Sequence, residues 1–379
     1  MKLLKRQLLL FTLSLIHLFC HAQQNDFFTP GTEWLDNQGE HINAHGGGIL
    51  TYNDTYYWFG EHRPTEGFIT EEGIICYSSK DLYNWTNQGI VLAVSSDEAS
   101  PIVKGCIMER PKVIHNKKTN QFVLYFHLEL KGRGYEAAQV GVAVSDNITG
   151  PFEFVKASRV NPGKWPLNMT LYEIDYPLNP DDYKDWWTPK WYDAVKKGLF
   201  VHRDFKGGQM SRDMTLFVDD DDKAYHIYSS EDNLTLHIAE LTDDYLDYTG
   251  RYIRIDPTGH NEAPALFKHN GKYYMITSGC TGWDPNEGRL LVSDSILGDW
   301  KRLGNPFKGV DSNLSFKSQS TCVFPLIGRE NSFIYMGDRW TPTSLSNSRH
   351  IWLPIQFEND LPIVRWYSKW TIEEHFTYR

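Results

Sequence analysis

Five stretches of this chain repeat one pattern: a polar residue opens a short apolar run, a turn follows, and an aromatic-rich strand comes next. The stretches are HGGGILTYNDTYYWFGE, ERPKVIHNKKTNQFVLYFHLE, SRDMTLFVDDDDKAYHIYSSE, NEAPALFKHNGKYYMITSGC and SQSTCVFPLIGRENSFIYMGD. Their polar openers are His45, Glu109, Asp213, Glu262 and Gln319. Such self-similarity predicts an all-β fold, a five-bladed β-propeller in which each copy forms the inner strands of one blade. Because inner strands start around one axis, we expect the five openers to converge there.

A long segment between the second and third copies departs from the repeat. Residues 160–209 lack strand alternation and are rich in aromatic residues and prolines. Within them, Thr188 as a cap, Pro189 in a first turn and Gly198 as an end predict a short helix. We therefore expect an aromatic-rich insertion between blades two and three. Its segment Trp165–Tyr192 either walls one side of a substrate pocket or buttresses the side of the propeller.

The N-terminal residues have the features of an export signal. A basic start and a mostly apolar stretch ending at Phe19 predict that residues 1–22 are a secretory signal peptide, too short for a membrane span. Residues 23–379 then form a single propeller domain that is secreted or periplasmic. A lipoprotein anchor on Cys20 is the alternative, although Phe19 stands where such an anchor needs a small residue.

Charge and cysteine spacing exclude several classes of partner. The formal net charge of −10 argues against nucleic acid and anionic membranes, and no later segment is apolar enough to span a bilayer. The cysteines that remain after cleavage fit neither a disulfide framework nor a metal motif, so we expect buried free thiols. They are Cys76, Cys106, Cys280 and Cys322. We interpret residues 219–222 as a hairpin turn rather than a calcium loop, and expect a monomer with no metal or other cofactor.

Three of the five openers are carboxylic acids. Glycoside hydrolysis needs a protonated acid for the leaving oxygen and a base or nucleophile on the sugar side. A neighbouring carboxylate helps to keep the acid protonated, because like charges raise its pKa. Glu109, Asp213 and Glu262 are the available groups, and Glu262 stands in the apolar context NEAPALF. The alternative is that these acids only seal strand ends, which is less consistent with three acids at equivalent positions.

Longer motifs then indicate a family. SRDMTLFVDDDDKAYHIY and NEAPALFKHNGKYYMITSGCTGW resemble the inner strands of glycoside hydrolase family 43, whose members are five-bladed propellers with an inverting mechanism. INAHGGGILTYNDTYYWFGE, YEAAQVGVAVSD and YMGDRW resemble its exo-β-1,3-galactanase branch. The resemblance implies that Glu262 is the general acid and that Asp213 tunes and orients it.

The resemblance leaves the catalytic base open. The usual family base is an Asp at the start of blade one, but this region reads Asn43-Ala44-His45. In the galactanase branch the Gln matching Gln319 is an unusual base that acts as its imidic tautomer, with the Glu matching Glu109 nearby. A neutral amide is a very poor base in water, so the physical argument alone prefers Glu109.

Substrate contacts are expected from residues near the openers. Glu61, Tyr135 and Thr281 match sugar-contacting positions of the galactanase branch. His45 and His127 suit hydrogen bonds within the protein or to a sugar. Trp283 suits sugar stacking or core packing, and Arg339 either forms a structural ion pair with Asp338 or clamps a sugar hydroxyl.

These features together predict a secreted glycoside hydrolase that is exo-acting and inverting. The expected substrate is an oligo- or polysaccharide of the β-1,3-galactan type, from which terminal galactose is released. The alternatives are an α-L-arabinofuranosidase or β-D-galactofuranosidase of the same family, and a non-catalytic glycan-binding propeller.

Overall fold

The computed structural model of the protein describes residues 25–376 and contains five antiparallel sheets arranged as blades. Blade one comprises β1 (His45–Tyr52), β2 (Thr55–Glu61), β3 (Gly73–Ser79) and β4 (Thr86–Ala93). Blade two comprises β5 (Ile107–Asn116), β6 (Gln121–Glu129), β7 (Gln139–Ser145) and β8 (Glu153–Ser158). Blade three comprises β9 (Met214–Val218), β10 (Ala224–Ser230), β11 (Thr235–Leu241) and β12 (Tyr248–Ile255).

The last two blades complete the ring. Blade four comprises β13 (Glu262–His269), β14 (Lys272–Ser278), β15 (Arg289–Ser293) and β16 (Lys301–Gly304). Blade five comprises β17 (Phe307–Lys308), β18 (Gln319–Pro325), β19 (Phe333–Arg339), β20 (Arg349–Glu358) and β21 (Leu361–Arg365), with β17 parallel to β21. The inner strands are β1, β5, β9, β13 and β18, and each contacts the inner strands of both neighbouring blades. The predicted all-β, five-bladed propeller is confirmed.

Hairpin turns and aromatic packing explain why the chain folds this way. The turns Asn53-Asp54 and Asn270-Gly271 adopt the left-handed backbone that matches the twist of paired strands. Blades one and five meet through a buried aromatic cluster in which the rings of Trp58 and Trp352 lie 4.8 Å apart. The first and last blades are therefore joined by side-chain packing.

The segment between β8 and β9 is helical. It contains α1 (Leu171–Asp175), α2 (Pro189–Lys196) and α3 (Leu199–Asp204), and its ends are joined by a bridge between Val160 and Gln209. The helix predicted from Thr188 is present: the Thr188 hydroxyl accepts from the Trp191 amide at 3.3 Å, and Gly198 follows with φ 95°. A last helix, α4 (Ile372–His375), lies near the C-terminus.

The structure also bears on the predictions about membrane spans and cysteines. No helix among residues 25–376 is long and apolar enough to cross a membrane. The four cysteines are free, as predicted, and three are buried as expected, whereas Cys280 is half-buried. The proposed signal peptide, residues 1–22, lies outside the described residues.

Candidate active site

The starts of the inner strands surround a pocket of about 450 Å³. Four of the five openers line it: Glu109, Asp213, Glu262 and Gln319. The other lining residues are Arg63, Phe68, Arg110, His127, Tyr135, Arg212, Asn233, Gly282, Trp283 and Trp340. The convergence expected from the repeat is found for four of the five openers.

Backbone irregularities follow three of the openers directly. The pairing of inner and second strands shifts register just after His45, Glu109 and Glu262. The next residues, Gly46, Arg110 and Ala263, have left-handed backbone with φ of 58°, 55° and 53°. Such bulges re-aim side chains next to active sites. At Gly46 a Cβ atom would lie 2.0 Å from Oε1 of Glu61, so glycine is required there.

Glu262 has the surroundings of a general acid. Burial, followed by the nearby negative charge of Asp213, raises the pKa of Glu262 to about 7. Its Oε1 accepts from the Asn233 side-chain amide at 2.7 Å, and its Oε2 lies 3.5 Å from Nε2 of Gln319. A carboxyl group with a pKa near neutrality can hold a proton and deliver it at physiological pH.

Arg110 connects Asp213 with Gln319. Its Nη2 lies 2.8 Å from Oδ2 of Asp213 and donates to Oε1 of Gln319 at 2.6 Å. The amide of Ala263, the residue after Glu262, donates to the same Asp213 oxygen at 3.1 Å. Asp213 is thus fixed beside the acid by a charged and a backbone donor.

Glu109 is a carboxylate held by several donors. Its Oε1 accepts from Arg63 Nη2 and from the Tyr135 hydroxyl, both at 2.9 Å, and its Oε2 lies 3.2 Å from Nδ1 of His127. Burial alone would raise the pKa of Glu109, but Arg63 and His127 together hold it well below its usual range. A carboxylate stabilised to this degree is a weak base.

His127 is the cationic partner in this group. It lies between Glu109 and Glu129, with Nε2 2.9 Å from Oε1 of Glu129. Although burial disfavours its charged form, hydrogen bonds to these two carboxylates raise the pKa of His127 to about 9. The imidazole is therefore charged at neutral pH and balances two buried anions.

Comparison with known proteins now places this geometry in a family. The model for glycosyl hydrolases family 43 matches residues 184–313. The solved structure of the β-1,3-galactosidase BT3683 with galactodeoxynojirimycin is 61% identical in sequence, with a TM-score of 0.90, covering 91% of this chain and 100% of that one. The chain belongs to glycoside hydrolase family 43. It is a glycoside hydrolase, as its sequence predicted.

Other similar proteins match this chain over different shares of their length. The β-1,3-galactosidase BT0265 is 38% identical with a TM-score of 0.78, over 93% of this chain and 65% of that one. An exo-β-1,3-galactanase from Phanerochaete chrysosporium, crystallised with β-1,3-galactotriose, is 28% identical with a TM-score of 0.73, over 91% and 68%. The β-D-galactofuranosidase xynD of Aspergillus niger is 32% identical over 130 residues, which are 34% of this chain and 37% of that enzyme.

Aromatic rings form one wall of the family 43 pocket. Trp283, 39% exposed, stands edge-on to Trp340 with ring centroids 5.3 Å apart. Trp340 donates from its indole nitrogen to Oε1 of Gln319 at 2.9 Å. On another side the Phe68 ring stacks on Tyr135, whose hydroxyl reaches Glu109. These faces suit the apolar side of a sugar ring.

Four predicted substrate contacts, Glu61, Thr281, Arg339 and His45, are not among the residues that line this pocket. Glu61 is buried and accepts from the Arg110 backbone amide at 2.7 Å, so it supports the wall from behind. The Thr281 hydroxyl is hydrogen-bonded within its own turn, to Asp284 and Asn286. Arg339 donates to the Phe316 carbonyl at 2.8 Å and lines an adjoining cleft beyond Trp340.

His45 is the opener that does not enter the pocket. It is fully buried, its Nδ1 lies 3.2 Å from Oδ1 of Asp338, and its ring stacks on His350, which binds the same oxygen. Burial lowers the pKa of His45 to about 4. The expected substrate contact is therefore corrected to a packing role. Asp338 pairs with these two histidines, and the ion pair with Arg339, one of the two alternatives for that arginine, is not formed.

We expect His45→Gln to lower stability without changing substrate affinity. The change removes a ring stack and weakens a buried hydrogen bond, which costs about 1–3 kcal/mol. Thermal unfolding should shift downward while KM stays within twofold of wild type. A several-fold rise in KM at unchanged melting temperature would instead restore the sugar-contacting role.

The insertion does not line the pocket. None of the lining residues belongs to residues 160–209. Trp191 is buried in a cluster with Val195, Phe200 and Leu234, so the helices pack against blade three. The buried part of Trp165–Tyr192 packs as the buttress alternative expects, whereas Trp187, 59% exposed, stacks on His260, two residues before Glu262, with ring centroids 5.5 Å apart.

Several pocket residues were missed by sequence reasoning. Arg63, Arg110 and Arg212 each lie within two residues of a strand end or an opener, which was the available signal. Asn233 lies in the turn between β10 and β11, and only its contact with Glu262 identifies it. None of these arginines opens a repeat copy, so the repeat pattern does not mark them.

Two groups of side chains among residues 25–376 have the spacing of a metal site, His41 with His45 and His350 and a second in the pocket, and the pocket group already has its cations. Ligand atoms of Glu109, His127 and Asp213 lie within 4.8 Å of one another. Arg63 and Arg110 bind these two carboxylates directly, and His127 is itself charged. The donor set therefore does not suit a divalent metal ion.

Proposed function

We propose that this protein is an exo-acting, inverting glycoside hydrolase that releases terminal galactose from β-1,3-galactan-type glycans. The observation that carries the proposal is Glu262, a half-buried carboxyl with a pKa of about 7 beside the fixed carboxylate of Asp213. The pocket around it, of about 450 Å³, suits the end of a glycan chain.

Hydrogen bonding specifies where the acid proton resides. Two amides donate to Glu262: Asn233 to Oε1 at 2.7 Å, and Nε2 of Gln319 to Oε2 at 3.5 Å. Because the shorter bond stabilises an unprotonated oxygen more strongly, we place the proton on Oε2. From there it can pass to the glycosidic oxygen as the bond to the sugar carbon breaks.

The sugar preference rests on similarity along the whole chain. The 61% identity to the β-1,3-galactosidase BT3683 extends over all of that chain, and the exo-β-1,3-galactanase of Phanerochaete chrysosporium shares the fold. A second candidate is β-D-galactofuranosidase activity, which the match to xynD favours over a third of the chain only. The pyranose substrate is therefore the first proposal.

The residue that activates the water is either Gln319 or Glu109, and the hydrogen bonds of each limit how it can accept a proton. Oε1 of Gln319 accepts from Arg110 and Trp340, and both of these groups only donate. In an imidic Gln319 that oxygen is a hydroxyl, which can still accept from these donors but also needs an acceptor for its own proton. To act as the base, Glu109 has to accept a proton although Arg63, Tyr135 and His127 all stabilise its charged form.

Gln319→Glu should move the basic limb of the pH–rate profile upward by about one pH unit. The new carboxylate lies near Oε2 of Glu262, and a neighbouring like charge raises the pKa of an acid. The measurement is kcat/KM against pH on a β-1,3-galactooligosaccharide. Ser278→Ala is the matched control, because it removes a hydrogen bond to Gln319 without adding charge. An unmoved limb in Gln319→Glu contradicts the assignment of this limb to Glu262.

A panel of oligosaccharides tests the activity itself. We expect galactose release from β-1,3-galactobiose and β-1,3-galactotriose, with no release from α-L-arabinofuranosides or β-D-galactofuranosides. Release from galactofuranosides alone would favour the second candidate. Binding of galactan without any release would identify a non-catalytic glycan-binding propeller.

We also propose export by a cleaved signal peptide and activity as a monomer. The basic and apolar start of the sequence supports export, and cleavage leaves a chain beginning near residue 23. N-terminal sequencing of the protein from its native host tests the cleavage, and sedimentation of the purified protein tests the monomer.

A further inference from the structure

The turn between β10 and β11 has an unusual backbone. Glu231, Asp232 and Asn233 are consecutive, none is glycine, and their φ angles are 52°, 56° and 64°. Left-handed backbone is unfavourable for such residues, and three in a row persist only where the surroundings hold them. The contacts of this turn therefore identify the groups that stabilise its left-handed conformation.

Glu231 anchors the turn through a buried ion pair. It is fully buried and accepts from Nε and Nη2 of Arg254, each at 2.7 Å. The same guanidinium donates to the carbonyls of Val195 at 2.8 Å and Lys196 at 3.0 Å, at the end of α2. One side of the turn is thus tied to the insertion through Arg254.

The flanking residues are also tied to the insertion. Asp232 accepts from Nη1 of Arg203, in α3, at 2.5 Å. Leu234 is buried in the insertion's own core with Trp191 and Phe200. The residues on both sides of Asn233 therefore contact the insertion.

Asn233 instead lines the active-site pocket. Its side-chain amide donates to Oε1 of Glu262 at 2.7 Å, and its backbone carbonyl accepts from the Cys280 thiol at 3.7 Å. The insertion lies on one side of the turn and the acid on the other, so the turn connects them.

We propose that the insertion, residues 160–209, is a positioning device for the general acid that acts through Asn233. By fixing the left-handed turn it holds the Asn233 amide on Oε1 of Glu262, which leaves the proton on Oε2. This inference rests on the proposed function, in which Glu262 protonates the leaving group. Asn233, Arg203 and Arg254 are then positioning residues, and the insertion acts on catalysis although it does not line the pocket.

The test removes a contact between the insertion and the turn by changing a residue of the insertion. Arg203→Gln removes the ion pair to Asp232, at a residue whose side chain is 29% exposed, so the fold should tolerate the change. The matched control is Asp193→Asn, which removes the Asp193–Lys197 pair of the same insertion but has no contact with the turn. Each variant is assayed on β-1,3-galactobiose and on 4-nitrophenyl β-galactoside, whose leaving group departs without protonation.

Arg203→Gln should lower kcat on galactobiose by about tenfold, with KM unchanged and a smaller loss on the nitrophenyl substrate, because a displaced acid slows proton transfer. Asn233→Ala should lower kcat on galactobiose further, with the same leaving-group dependence. In the Asn233→Ala background, Arg203→Gln should have no additional effect. If Asn233→Ala does not fold, Asn233→Ser replaces it.

Three results would overturn the inference: equal effects of Arg203→Gln and Asp193→Asn, equal losses on the two substrates, or additive effects of Arg203→Gln and Asn233→Ala. Failure of the proposed function is a separate result, because the wild-type protein would then release no galactose from galactobiose. Wild-type activity with unaffected Arg203→Gln kinetics refutes the positioning role alone.

Discussion

Glu262→Gln is expected to lower kcat on β-1,3-galactobiose by about 10²-fold or more, the usual scale for a lost general acid. The amide keeps the size of the side chain and its acceptor oxygen beside Asn233, but it has no acidic proton. The loss on 4-nitrophenyl β-galactoside should be far smaller, since nitrophenolate needs no proton to leave. Steady-state kinetics on the two substrates measures the difference.

The pH profile provides the control for this substitution. Activity needs protonated Glu262, so the wild-type rate on galactobiose should fall as the pH rises through about 7, the value to which burial and Asp213 raise the pKa. Glu262→Gln should lack that limb in its residual activity. Near wild-type turnover of galactobiose by the variant would show that another residue is the acid.

The contribution of His127 to stability should be lost in mildly alkaline solution. Its pKa of about 9 in the folded protein lies above the ordinary value of 6.5, so the contribution is complete below pH 6.5 and disappears as the pH rises through 9. The size of the effect is on the order of 3 kcal/mol. The two carboxylates beside His127, Glu109 and Glu129, are the source of this shift.

Urea unfolding of wild type and His127→Gln at pH 6 and pH 9 measures that contribution. The difference in unfolding free energy between the two proteins should shrink by several kcal/mol from pH 6 to pH 9. Taking the difference cancels other groups, among them Lys112, whose pKa burial lowers to about 8. A difference independent of pH would mean that His127 is neutral in the folded protein.

Much of the site could be predicted because a propeller converts sequence repeats into positions around an axis. Glu109, Asp213, Glu262 and Gln319 were identified as openers, and all four line the pocket. His45 opens the equivalent strand but is buried against Asp338, which comes from β19 of blade five. A repeat gives the position of a residue, whereas the direction of its side chain depends on a partner distant in sequence.

The remainder of the site depends on such long-range contacts. Arg110 joins Asp213 and Gln319, which come from blades three and five, and no local pattern indicates that connection. The insertion was recognisable by composition, but aromatic density fits a pocket wall and a packed core equally well. Only the burial of Trp191 against Leu234 decides for packing.

The anomeric form of the first product tests the central proposal most directly. Time-resolved proton NMR during hydrolysis of β-1,3-galactotriose should show α-galactose first, with β-galactose appearing only through mutarotation, because an inverting enzyme reverses the β configuration. β-Galactose as the first product would contradict inversion, and the absence of free galactose would contradict the exo-β-1,3-galactosidase activity itself.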